Sequence, residues 1–86
     1  MPRISAFHGV VVAMFYGDHP PPHVHARYGD HRAQITISTG DVLHGFLPRR
    51  ALTLVRDWTD LHRDELTDNW NGAEREQPLV SIEPLP

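Results

Sequence analysis

The run from Val10 to Tyr16 is apolar or aromatic at every position, which predicts a strand over 10–16 that is covered on both faces. Val10, Val12, Met14 and Tyr16 share one face in this reading, and Val11, Ala13 and Phe15 the other. Ile4 to His8 offers a shorter strand ahead of it. From His23 to Tyr28 the pattern becomes a strict alternation, with Val24, Ala26 and Tyr28 on one face and His23, His25 and Arg27 on the other. Gly29-Asp30 marks a turn, and the segment 33–38 alternates again. Antiparallel pairing of these two strands sets Gln34, Thr36 and Ser38 beside the histidine row. Gly40-Asp41 then turns the chain into a short strand over 42–46.

At Pro48 the period lengthens from about two residues to about 3.6. Proline suits a first helical turn, and a helix over 48–70 gathers Ala51, Leu54, Val55, Trp58, Leu61 and Leu66 on one side, with Asp57, Asp60 and Asp64 opposite. Asn71-Gly72 supplies a helix stop. Leu79 to Ile82, enclosed by Pro78 and Pro84, offers an edge strand over 79–82. These elements assemble as one α+β domain over 1–86. The expected architecture is an antiparallel three- to four-stranded β-meander with one long amphipathic helix packed on one face, a two-layer sandwich.

Composition narrows the function classes. Hydrophobic residues at 40% and charged residues at 22% are the balance of a folded soluble domain rather than a disordered one. A net charge of −3 gives no general pull toward nucleic acid, and the basic residues are all arginine. There is no cysteine, so thiolate chemistry and disulfides are excluded, and any metal must rest on histidine and carboxylate. No apolar stretch approaches the roughly 20 residues of a membrane span, and no secretory leader pattern opens the chain. The expected compartment is the cytoplasm, with no membrane partner.

The candidate chemistry centres on Gly17 to Ala26, where three of the seven histidines surround three consecutive prolines. Proline fixes φ, so the connector is read as stiff and extended, holding His19 and His23 in place. His19, His23 and His25 have the residue type and spacing for an open site holding a divalent transition metal, zinc first among them. The competing reading, which takes the greater weight, has His19 and His23 bracing the connector against backbone carbonyls, and no cofactor is then expected. His62 and Glu65, one helical turn apart, could share an ion or a proton, or His62 could be a core residue with Glu65 at its rim. Arg49 and Arg50 stand at a helix start, where cations oppose the macrodipole; with Arg27 and Arg32 they could form a basic patch for an acidic partner or phosphate, although the reading with the greater weight leaves them as solvated surface arginines. No serine stands in a nucleophile elbow.

Two separated motifs carry a family resemblance. They are His19, Pro21, Pro22, His23, His25 and Ala26, followed by Leu47-Pro48-Arg49-Arg50-Ala51-Leu52, Leu54-Val55, Trp58, Leu61-His62 and Glu65-Leu66. Through them the chain resembles the small bacterial family catalogued as domain of unknown function 4160, over nearly its whole length. The family usually has another residue where this chain has Pro20. The resemblance implies one half of a small two-gene module, with a partner protein encoded nearby and a toxin–antitoxin-like or regulatory role.

The leading expectation is therefore a non-catalytic protein-interaction module whose binding surface comprises His19, His23, His25, Arg27, Arg49 and Arg50. Pairing with a further copy through a sheet edge is a related expectation. The alternative is a small metal-dependent hydrolase or nuclease using His19, His23 and His25, and a third reading is nucleic-acid binding through the arginines.

Overall fold

The computed structural model describes residues 2–86. Five strands, β1 (Arg3–Phe7), β2 (Val10–Ala13), β3 (His23–Tyr28), β4 (His31–Thr36) and β5 (Val42–Gly45), precede two helices, α1 (Arg49–Leu61) and α2 (Arg63–Glu74). The strands form one antiparallel meander in the order β1-β2-β3-β4-β5. The α+β class and the meander are as expected from the sequence, while the sheet has five strands rather than three or four.

The added strand is β1. It joins β2 through a two-residue hairpin in which His8 and Gly9 have φ of 48° and 83°, the positive pair that a tight hairpin matched to strand twist requires. A histidine in a positive-φ position is uncommon, which hides this turn in the sequence. The β2 strand stops at Ala13 instead of running to Tyr16. Met14 still donates its N–H to Pro2 O, but Tyr16 leaves the sheet, is 46% exposed and donates its hydroxyl to Gln77 O. The expected strand 33–38 lies two residues earlier, at His31–Thr36, and pairs β3 in the anticipated register, with His25 opposite Gln34 and His23 opposite Thr36.

The expected single helix over 48–70 is two. His62 adopts φ −116° and ψ 25°, yet the stripe of buried positions runs on through it in phase, from Val55 and Trp58 through His62 to Leu66 and Trp70, and Leu61, expected on that stripe, lies off it at 62% exposed. The hydrogen-bond ladder passes through the break, from His62 N–H to Trp58 O and from Leu66 N–H to His62 O. Arg63 fixes it from outside, donating Nε–H to Ile37 O at 2.8 Å and pairing with Asp60. Gly72 does not end α2. It lies buried within the helix, and its carbonyl accepts from Arg75 and Gln77 as the chain leaves through Glu76, whose φ is 58°.

The core lies between one sheet face and the helices. Val10, Val12, Val24 and Ile35 from the strands meet Val55, Trp58 and Leu66, all at most 1% exposed. Each such side chain contributes roughly 1.5–3 kcal/mol by leaving water.

Residues 79–82 are extended but form no strand of the sheet. One backbone bond, Ile82 N–H to Ile4 O, lays this C-terminal strap along β1, and the flanking prolines deny it the donors for a longer ladder. Asn69, 5% exposed, holds the strap from α2 by donating to Val80 O at 2.8 Å and accepting from Val80 N–H at 3.0 Å. Asn69→Ala is expected to cost about 1–2 kcal/mol, the worth of two ordinary hydrogen bonds whose backbone partners can return to water. Urea unfolding gives the stability change, and faster proteolysis after Ala73 shows that the strap is what loosens.

Candidate functional site

The segment between β2 and β3 carries the site. Gly17, with φ of 78°, turns the chain out of the sheet, and Asp18 follows directly. The connector bends at Pro20 and Pro21, whose shared peptide bond is cis, instead of running extended, and Pro22 O accepts from Ile37 N–H to fix its far end. The chain then enters β3 with His23 and His25 on one face.

The histidine rings lie 5.2 Å apart between centroids. His23 is buried, with its side chain 5% exposed, and Trp70 of α2 packs at 5.3 Å from its ring. Phe15 meets His25 edge-on at 4.6 Å. Nδ1 of His23 lies 2.7 Å from Pro21 O; a carbonyl only accepts, so Nδ1 carries the proton. The bracing role expected for His23 is present. Its other nitrogen, Nε2, points at Asp18 Oδ2, 3.4 Å away, and His25 Nε2 donates to the same oxygen at 2.9 Å.

Asp18, His23 and His25 are brought together, each offering one ligand atom, with all three atoms within 4.8 Å of one another. His19 is not part of this cluster. It is exposed and lines a cleft with Asp18, His23, Gln34 and His44. The carboxylate that completes the cluster is Asp18, one residue before His19 in the same connector, and histidine spacing alone does not point to it.

Arg27 and Arg32 are direct cross-strand partners on β3 and β4. They flank a groove on the sheet face that the helices leave open, floored by Val11, Ala13 and Phe15 and reached by His25. Among the described residues neither arginine has a carboxylate within ion-pair distance. Arg49 and Arg50 are exposed in the first turn of α1, likewise without an ion pair among the described residues. His62 lies outside the cluster: its Nδ1 donates to Glu65 at 2.7 Å, and its buried Nε2 has no partner among the described residues. No helix is long and apolar enough to cross a membrane.

A family model described as Domain of unknown function (DUF4160) matches residues 9–71, a span that includes the connector, both histidines of the cluster, Asp18 and the helix break. No curated protein and no solved structure matches the chain.

Proposed function

Because the chain belongs to the family described as Domain of unknown function (DUF4160), whose matched span holds every residue lining the open-face groove from Val11 to Ala33, we infer that this face is a partner-binding surface. The protein acts as a non-catalytic interaction module, one component of a cytoplasmic two-protein bacterial pair of regulatory or toxin–antitoxin-like type.

The observation that carries this reading is the Arg27–Arg32 pair. Like charges directly opposite on a sheet repel, and such pairs are destabilising by a fraction of a kcal/mol unless an anion bridges them. Here they stand over the apolar floor of Val11, Ala13 and Phe15, uncompensated within the described chain. A segment bearing carboxylates beside apolar side chains satisfies both features at once. Arg49 and Arg50 are two further exposed arginines, in the first turn of α1. The net charge of −3 favours this local recognition over general binding to a phosphate backbone.

Co-expression with the product of the adjacent gene tests the reading. A stable complex is expected, weakened at least tenfold by the double substitution Arg27→Glu with Arg32→Glu and weakened by rising salt, with the circular dichroism spectrum unchanged. A complex indifferent to the double substitution would sink the assignment of this face. Salt-sensitive binding of RNA or DNA in place of protein would favour the nucleic-acid reading instead.

A further inference from the structure

Two acceptors face each other in the connector site. With its proton held on Nδ1 by Pro21 O, a neutral His23 presents the lone pair of Nε2 toward Asp18 Oδ2, 3.4 Å away, from a side chain only 5% exposed. Asp18 Oδ2 also lies 2.9 Å from His25 Nε2, so two imidazoles converge on one carboxylate oxygen and the three atoms lie within 4.8 Å of one another. A cation held among them would accept a lone pair from each, with His25 in its Nδ1–H tautomer.

The spacing fits a metal. Two atoms bound to one zinc ion at about 2.0–2.1 Å stand roughly 2.9–3.4 Å apart, according to whether the angle between them is near a right angle or tetrahedral. The two edges from Asp18 Oδ2, 2.9 and 3.4 Å, span that range, and the third, between the histidine nitrogens, is within 4.8 Å. Two imidazoles and one carboxylate are the donors of a transition metal and not of magnesium or calcium. A histidine that ligates a metal ordinarily donates its other N–H to a carbonyl or carboxylate, as His23 does to Pro21. Trp70 and Phe15 pack on the two rings and fix their planes.

From these observations we propose that Asp18, His23 and His25 form a three-ligand site for a divalent transition metal, with zinc as the fitting ion. The proposed site differs from the sequence-derived set in having Asp18 in the place of His19. Three protein ligands leave a position free, and Asp18 and His23 both border the cleft lined by His19, Gln34 and His44, so an exchangeable water or an anionic group from a partner can complete the coordination. The site is independent of the open-face reading, since it requires neither Arg27 nor Arg32.

The experiment is a zinc titration of untagged, chelator-treated protein against a chromophoric zinc indicator, with cobalt(II) absorption as a second readout of imidazole ligation. One zinc per chain is expected, with magnesium unable to compete. Asp18→Asn and His25→Ala, at side chains 27% and 28% exposed, are expected to keep the fold and to weaken zinc binding at least about 100-fold. His19→Ala is expected to leave binding within a few fold of the parent. The buried His23→Gln serves as a further variant, read only where its circular dichroism matches the parent. Absence of stoichiometric zinc, binding unchanged in Asp18→Asn and His25→Ala, or equal loss in His19→Ala would each overturn the assignment.

Discussion

Trp58→Ala is expected to remove about 3–5 kcal/mol of stability, the cost of truncating a buried aromatic side chain. The indole is fully buried, sits 5.4 Å from the Phe7 ring and donates Nε1–H to Glu83 O at 2.9 Å. It therefore joins β1, α1 and the C-terminal strap at one point. At about 0.05–0.15 kcal/mol per residue, a domain of this length has a total stability of roughly 4–13 kcal/mol, so the loss is a large share of the whole. Thermal unfolding followed by circular dichroism should show a Tm lowered by more than about 12 °C. Trp58→Phe keeps most of the packing and loses the bond to the strap, so it should fall between the two. A loss under about 1 kcal/mol in the alanine variant would show that the core can collapse around the gap.

Gly45→Ala should be the most damaging single-carbon change in the sheet. A Cβ at this position would come 2.2 Å from Arg32 O and 2.9 Å from Ala33 Cα, and neither is a flexible side-chain end that can move aside. The φ of +84° adds strain of about 1–3 kcal/mol for any residue with a side chain. Gly45 lies opposite Ala33, and the next residue, Phe46, donates its N–H to Arg32 O. The clash thus forces β5 away from β4. Hydrogen exchange should show loss of protection across Val42–Gly45 with β1 and β2 retained. Gly17→Ala is the control: its φ is +78° but nothing lies within 4 Å of the added carbon, so it should lose only the backbone strain. Equal effects of the two substitutions would mean that conformation, not contact with β4, sets the requirement for glycine at position 45.

The alternation in 23–28 and 33–38 carried the central hairpin and its register because a period-two pattern with a Gly-Asp turn has few other solutions. The short β1 was legible in the run Ile4 to His8, but the hairpin that adds it to the meander was not, because His8 does not announce positive φ. The helix break was hidden because no proline or glycine marks it. The tertiary bond from Arg63 to Ile37 O stands beside the break, and no local pattern encodes it. At the site, period two placed His23 and His25 on one face, and their separation from His62 was also legible. Asp18 could not be read from periodicity, since it sits in a turn where chain direction is set by Gly17 and the bend at the prolines.

The strap along β1 has a consequence for assembly. A sheet grows by strand addition only where it has a bare margin, and open-ended growth requires two such margins on every copy. The Ile82–Ile4 bond and the Asn69 clamp occupy the β1 margin, while β5, with Val42 and the neighbouring Phe46 exposed, remains bare. Strand addition at β5 would therefore terminate after one event, so that stacking of this kind is expected to give closed pairs instead of fibres.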